Sequence, residues 1–170
     1  IARHVPHGVI NCLTGEQGFG RAITSHTGIQ KIVFTGSTAT GQSVMRGAAT
    51  NLKRLTLELG GNDAAIVLPG TPIEAVVEDI FQAAFLNMGQ TCAALKRLYI
   101  HESQYQAFAD ALTLIATRQV VGDGLEAGVT FGPVQNLEQL ELVDALVADA
   151  RAQGARVLCG GARLDRPGFF

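Results

Sequence analysis

The sequence predicts an α/β fold with a largely parallel sheet. Short β-branched runs alternate along the chain with stretches of helical spacing, the pattern expected when strands and helices follow one another. Glycine-containing turns separate several of these units. Apolar residues make up 47% of the 170 residues and charged residues only 16%, so the chain can bury a hydrophobic core in one large domain or two small ones.

The strands are predicted where β-branched and aliphatic residues form short runs. In chain order, the predicted strands cover residues 8–13, 31–34, 55–59, 64–68, 95–101 and 156–159.

The helices are predicted from helical spacing and from capping residues. The segment 71–74 combines a capping box with a proline at the first helical position, and the segment 103–106 is a second capping box. The predicted helices are a short one around residues 22–23 and longer ones over about 38–50, 72–87, 103–118 and 137–153.

Charge and cysteine content exclude several classes of protein. The net charge of −2 leaves no basic surface for nucleic acid, and no apolar run approaches the roughly 18 residues of a membrane span. Three cysteines without a framework spacing favour a reducing compartment, so we expect a cytoplasmic protein. His4, His7 and Cys12 do not have the spacing of a common metal site, and we expect no metal.

Two glycine-containing turns, each between a predicted strand and a predicted helix, are candidate phosphate sites. Gly15 opens the first turn, over 15–20, and Gly36 and Ser37 lie in the second. Backbone N–H groups at a helix N-terminus favour an anion, Gly36 would let a pyrophosphate approach the backbone, and Ser37 is a candidate cap. The alternative for both turns is ordinary loop structure without a ligand.

Cys92 is the candidate nucleophile. It follows the turn Gly89-Gln90 between an apolar helix and an apolar strand, a position that displays a side chain. Its own backbone N–H could stabilise an oxyanion formed on attack. The alternative is a cysteine buried as a small apolar residue, and we assign that state to Cys12 and Cys159.

Glu58 is the candidate general base. It interrupts the apolar run of a predicted strand, and the pair Gly60-Gly61 follows it. Glycines at this place let the backbone approach another group closely.

Three motifs, in this order and at these intervals, resemble the aldehyde dehydrogenase superfamily: FTGST at 34–38, LELGG at 57–61 and GQTC at 89–92. The resemblance covers the whole chain. It implies an aldehyde dehydrogenase-like α/β fold in which residues 1–60 form the second half of a Rossmann-type dinucleotide-binding domain and residues 61–170 the first part of an α/β catalytic thiol domain. It also implies NAD or NADP as the cofactor, a small aldehyde as the substrate, and a homo-oligomer, a dimer or tetramer, for the full-length protein.

The resemblance implies catalytic roles for two residues. Cys92 would attack the aldehyde carbonyl to give a thiohemiacetal, which becomes a thioester once hydride has passed to the cofactor. Glu58 would activate the water that releases the carboxylic acid.

The resemblance also implies cofactor contacts. Gly15 would lie in the first turn near the cofactor, Gly36 and Ser37 at the pyrophosphate, and the backbone of Leu59 facing the nicotinamide. Gln139 falls where the family contacts a cofactor ribose, but it could equally be the capping partner of Asn136.

The chain departs from the family pattern in two respects. Gln17 stands where the first turn of the family often has glycine, so we expect the cofactor to be held mainly at the second turn. The chain is also about a third of a typical member, and it opens on Ile1 and closes on Phe170, so we expect a central segment of a longer protein. An oxyanion-hole asparagine and two cofactor-binding residues would lie outside it, and the isolated chain is expected to be inactive.

Two other functions stay open on the sequence alone. A non-catalytic homologue could bind a dinucleotide without turnover, although such a protein has no need to keep Cys92 and Glu58. An aldehyde dehydrogenase that transfers the acyl group to coenzyme A would share the cysteine, but such enzymes usually lack the glutamate.

Overall fold

The chain divides into two compact units, Ile1–Gly60 and Gly61–Phe170. The computed structural model describes residues 4–170, apart from the side chain of Gln17. The dinucleotide-binding and catalytic roles expected for the two units stay predictions.

The N-terminal unit contains two parallel strands and two helices. Its elements are, in chain order, α1 Gln17–Ser25, β1 Lys31–Thr35, α2 Thr38–Ala48 with a 3-10 turn over Ala49–Asn51, and β2 Arg54–Glu58. The strands pair in register, so that Thr35 lies opposite Glu58 at their C-terminal ends. Alternate residues of each strand are half-buried, which is the period-2 pattern of a sheet with one covered face.

Helix α2 supplies the buried apolar side chains described in this unit, Val44 and Ala48. Its end is fixed by a short polar network: Lys53, which is buried, donates from Nζ to Asn51 Oδ1, and Asn51 Nδ2 donates to the carbonyl of Thr27 at 3.0 Å. The hydrogen bonds satisfy a charge that would otherwise be costly to bury. They also connect the helix end to the segment before β1.

The C-terminal unit contains two further parallel strands and three helices. Its elements are β3 Asp63–Val67, α3 Ile73–Phe85, a 3-10 turn over Leu86–Gly89, β4 Leu95–Ile100, α4 Glu102–Thr117 and α5 Leu137–Ala152. Its core is formed by α3 and α4, where Val77, Phe81 and Ile115 are buried together. Phe81 also stacks on Phe85 and Phe131. The α/β architecture predicted from the alternation of elements is confirmed.

Two of the six predicted strands do not form. Residues 8–13 have irregular structure, and Val9, Ile10 and Leu13 are 62%, 58% and 70% exposed. Residues 156–159 also lack strand structure. Both segments have strand composition, but a strand also needs a hydrogen-bonded neighbour, and neither segment has one among the described residues.

The predicted helices are all present, but three details of their N-termini were wrong. Gly18 and Gly20 lie inside α1 and not in the turn before it. The Thr71 hydroxyl donates to the carbonyl of Leu68, so it does not cap α3. The cap of α4 is His101, whose Nδ1 accepts from the Ser103 N–H at 3.3 Å, so Ser103 lies inside the helix.

In the part of the chain that the structure describes, no helix is both long enough and apolar enough to cross a membrane.

Candidate active site

Cys92 lies on a sharp turn between α3 and β4, and its side chain is exposed. The turn begins with three successive residues of left-handed backbone conformation: Asn87, Met88 and Gly89 have φ of 51°, 62° and 74°. A left-handed conformation is uncommon for residues other than glycine, and it reverses the chain within a few residues. The thiol is therefore presented at the surface of the C-terminal unit, as the sequence predicted. We call residues 87–94 the thiol turn.

The carbonyl groups of the thiol turn converge on one ammonium group. Lys96 Nζ donates to the carbonyls of Thr91 at 3.0 Å, Cys92 at 3.3 Å and Ala94 at 3.0 Å. An ammonium group has three donors, and here each donor has an acceptor in the same turn. A charged group thus holds the backbone around the thiol, and this role of Lys96 was not predicted from the sequence.

Gly61 also lies close to the backbone of the thiol turn. A Cβ atom at this position would lie 2.6 Å from the carbonyl oxygen of Cys92 and 2.7 Å from Asp63 Oδ2. Next to it, the carbonyl of Asn62 accepts from Arg97 Nε at 3.0 Å. The close backbone approach predicted for the glycine pair therefore occurs at Gly61, and the group approached is the backbone of the candidate nucleophile.

Glu58 ends strand β2 in the N-terminal unit, and its side chain is exposed. Its carbonyl oxygen accepts from the Gly36 N–H at 3.0 Å, which extends the β1–β2 ladder into the turn before α2. The next residue, Leu59, is half-buried and packs on α2, where a Cβ at Gly41 would lie 2.6 Å from Leu59 Cδ2. The candidate base thus lies at the C-terminal end of β2, beside the second candidate phosphate turn.

That second turn has two features that would favour an anion. Ser37 caps α2, with Oγ accepting from the Thr40 N–H at 3.2 Å and hydrogen-bonded to Thr40 Oγ1 at 2.9 Å. The first turn of α2 has no acidic residue, and the first N–H groups of a helix have no partner within the helix. Because the Gly36 N–H is already bonded to Glu58, the groups open to a phosphate begin at Ser37.

The first candidate turn is less suited to a phosphate. The predicted strand before it does not form, α1 begins only at Gln17, and the residue at its N-cap is the acidic Glu16. A carboxylate at a helix N-terminus repels a second anion. A Cβ at Gly15 would lie 2.6 Å from the Phe19 side chain, so this glycine makes room for a ring. The strand–turn–helix context expected for Gly15 was therefore wrong, and a cofactor contact there stays only a prediction.

Gln139 lies in the first turn of α5. Its backbone N–H donates to Asn136 Oδ1 at 2.9 Å, so Asn136 caps the helix, as one of the two interpretations predicted. The contact uses the backbone of Gln139, and the proposed ribose contact of its side chain stays a prediction.

The other two cysteines differ from their predicted state. Cys12 is exposed, so its assignment as a buried packing residue was wrong, because the strand that would have buried it does not form. Cys159 is half-buried and lines an apolar groove of about 430 Å³ on α3, β4 and α4. All three cysteines are free thiols.

The chain belongs to the aldehyde dehydrogenase family, whose sequence model matches residues 1–170. The chain is 50% identical over 166 residues to a probable aldehyde dehydrogenase from Pseudomonas sp, which covers 98% of this chain and 34% of that protein. It is 40% identical to a succinate-semialdehyde dehydrogenase [NADP(+)] from Escherichia coli strain K12, covering 100% of this chain and 36% of that protein.

Solved structures agree with this assignment. The crystal structure of an E. coli NADP dependent enzyme superimposes with a TM-score of 0.91 at 40% identity, covering 98% of this chain and 35% of that chain. The NAD+ complex of an aldehyde dehydrogenase from Bacillus cereus superimposes with a TM-score of 0.85 at 37% identity, covering 89% of this chain and 31% of that one. The predicted aldehyde dehydrogenase-like fold is confirmed. The chain spans about a third of the length of the curated relatives it matches.

Proposed function

We propose that this chain belongs to an NAD(P)-dependent enzyme that oxidises a small aldehyde to a carboxylic acid, with Cys92 as its nucleophile. The observation that carries the proposal is the exposed thiol on a turn whose backbone is fixed by Lys96 and Gly61. A nucleophile held in one orientation reacts with a bound carbonyl at a high effective concentration. Relatives named as NADP-dependent and NAD-binding aldehyde dehydrogenases support both the reaction and the cofactor.

The first bond is formed by the sulfur of Cys92. Its Sγ attacks the aldehyde carbon, and the carbonyl oxygen takes up the proton of the thiol to give a thiohemiacetal. Cys92 would then carry a thioester once this carbon has lost a hydride, for which a bound NAD(P) would be the acceptor, and the hydroxyl group has lost its proton. While the oxygen carries negative charge, the backbone N–H of Cys92 can donate to it.

Water then releases the product. Glu58 removes a proton from a water molecule, the water oxygen attacks the thioester carbon, and the carbon–sulfur bond breaks as the leaving sulfur takes up the proton that Glu58 removed. The products of this step are the carboxylic acid and a thiol restored on Cys92. The carboxylate of Glu58 is exposed, so water can reach it.

The start of α2 would hold the pyrophosphate of the cofactor. Ser37 caps the helix, the first turn has no acidic side chain, and the dipole of the helix favours a negative charge there. We assign Ser37 and Leu59 to this cofactor site, and Gln139 to a ribose contact. Gly36 stays assigned to the same site, but its N–H is bonded to Glu58, so a contact with the cofactor would use its other atoms. The proposed enzyme is a cytoplasmic homo-oligomer, and the three free thiols agree with a reducing compartment.

The test of this proposal uses the full-length protein that contains the chain. Replacement of Cys92 by Ala should reduce aldehyde-dependent NAD(P)H formation by at least about 10⁴-fold, because no other group forms the covalent intermediate. Cys12→Ala, which removes the other exposed thiol, should have no effect. A Cys92→Ala protein that keeps its activity would refute the proposal.

Glu58→Gln tests the hydrolytic step separately. The amide cannot accept the proton of water, so the steady-state rate should fall by about 10²- to 10⁴-fold, while the first turnover still releases NAD(P)H in a burst. Stopped-flow absorbance resolves the two phases. If turnover of the wild-type protein required coenzyme A, the protein would transfer the acyl group and not hydrolyse the thioester. If the wild-type protein bound the dinucleotide without turnover, it would be a non-catalytic homologue.

The 170-residue chain alone should form no NAD(P)H, because an oxyanion donor and two cofactor-binding residues of the family are expected outside it. The same stopped-flow measurement on the purified chain checks this.

A further inference from the structure

The side chain of Gln90, two residues before Cys92, joins two distant parts of the C-terminal unit. Its Oε1 accepts from the backbone N–H of Gln135 at 2.9 Å. Its Nε2 donates to the carbonyl of Asn87 at 3.1 Å and lies 3.5 Å from the carbonyl of Pro133. One carboxamide thus bonds both to its own turn and to a segment more than 40 residues further along the chain.

The segment that Gln90 contacts leads directly into α5. Gln135 precedes Asn136, and the Asn136 side chain both donates to Gln135 Oε1 at 3.0 Å and caps the helix by accepting from the Gln139 N–H. The hydrogen bonds of Gln90 therefore reach the first turn of α5 through only one intervening residue.

The thiol turn requires such an external contact. Met88 has a left-handed backbone conformation, which is unfavourable for this residue type and persists only when the surrounding structure holds it, whereas the neighbouring Asn87 adopts the same conformation more readily. Gln90 bonds to the carbonyl of Asn87 and to the 133–135 segment with the same side chain. Among the described hydrogen bonds of the thiol turn, those from a side chain to residues beyond β4 are made by Gln90.

We propose that Gln90 is a positioning residue for the Cys92 thiol. It fixes the thiol turn against the start of α5, and it acts through the backbone of residues 87–92 without contact to the reacting atoms. This inference rests on the proposed function, because what is positioned is the nucleophile of that reaction. Displacement of a reacting group by about 1 Å can lower a rate by about 100-fold, so loss of the contact should reduce kcat more than it raises KM.

The chain offers a matched control in Gln104. Like Gln90, it makes two hydrogen bonds to a distant part of the C-terminal unit: Oε1 accepts from the Gly70 N–H at 2.8 Å, and Nε2 donates to the carbonyl of Thr71 at 2.9 Å. Gln104→Met and Gln90→Met each remove such a pair and keep a side chain of similar length. Only the second change touches the thiol turn.

The experiment measures steady-state kinetics and amide hydrogen exchange in the full-length protein. In Gln90→Met, kcat should fall about 10- to 100-fold with KM for the aldehyde changed less than threefold, and exchange at residues 91–94 should accelerate at least tenfold. Gln90→Glu keeps the acceptor for Gln135 but places a carboxylate oxygen against the carbonyls of Asn87 and Pro133, so it should not restore kcat. Gln104→Met should leave kcat and the exchange at 91–94 unchanged.

Two results would overturn the inference: kcat of Gln90→Met within twofold of the wild type, or equal losses of kcat in Gln90→Met and Gln104→Met. If the wild-type protein does not oxidise aldehydes, the proposed function fails instead. Hydrogen exchange then decides alone whether Gln90 holds the thiol turn, and unchanged exchange in Gln90→Met would refute that role.

Discussion

The turn before α2 and the thiol turn both carry candidate functional residues at the end of a strand, but they are held in different ways. In the first, Ser37 bonds to Thr40, three residues away. In the second, the backbone around Cys92 depends on Lys96, on the missing side chain of Gly61 and on Gln90, which reaches residue 135. A binding turn of this kind is specified locally, whereas the thiol turn combines a local partner, Lys96, with two that lie far away in the sequence, Gly61 and Gln135. Substitutions at the two turns should therefore have different effects.

Gly61→Ala should have the largest effect among the substitutions that leave the reacting groups intact. The new Cβ would lie 2.6 Å from the carbonyl oxygen of Cys92, a backbone atom that cannot move without shifting the turn. We expect kcat to fall by about 100-fold in the full-length enzyme. The control is Gly60→Ala, because a Cβ at Gly60 would have no described heavy atom within 4 Å. Equal kinetics for the two variants would show that the contact has no role in catalysis.

Lys96→Met should have a smaller effect. The substitution keeps an unbranched side chain and removes the ammonium group that bonds to the carbonyls of Thr91, Cys92 and Ala94. Because Gly61 and Gln90 still hold the turn, we expect kcat to fall by about tenfold. Lys31→Met, at an exposed lysine of β1, serves as the control for loss of positive charge. If both variants lose activity equally, charge and not turn geometry is responsible.

Ser37→Ala should have the smallest effect and a different kind of effect. Loss of the cap should lower the free energy of unfolding by about 1 kcal/mol and weaken NAD(P) binding a few-fold, with kcat nearly unchanged. Thermal unfolding and cofactor titration by fluorescence measure the two quantities. Ser43→Ala, in the middle of α2 and exposed, should change neither. A loss of kcat in Ser37→Ala comparable to that of Gly61→Ala would remove the distinction between the two turns.

The sequence predicted the parts of the fold that depend on local interactions. Strands β1 to β4 and all five helices were predicted from runs and spacing. For most of these elements, the predicted ends differ from the observed ends by one or two residues. The segments 8–13 and 156–159 were wrong because strand composition is local, while a strand forms only beside a neighbour. The same limit explains Cys12, whose predicted burial depended on one of these strands.

The candidate site shows the same division. The exposure of Cys92 and the close backbone approach at the glycine pair followed from turn residues. The contacts of Gln90 with residues 133–135 could not be read from the sequence, because they join segments more than 40 positions apart. The role of Lys96 could not be read either, since a lysine at the start of a strand is normally solvated.

The two exposed thiols also determine how the protein can be studied with electrophilic probes. Cys12 and Cys92 are both open to a reagent, whereas Cys159 is half-covered by its groove. A fluorescent or mass-tagged label added to the wild-type chain will therefore report two accessible sites at once. In a Cys12→Ser background, Cys92 is the only fully exposed thiol among the described residues, and covalent labelling there becomes a direct measure of its reactivity.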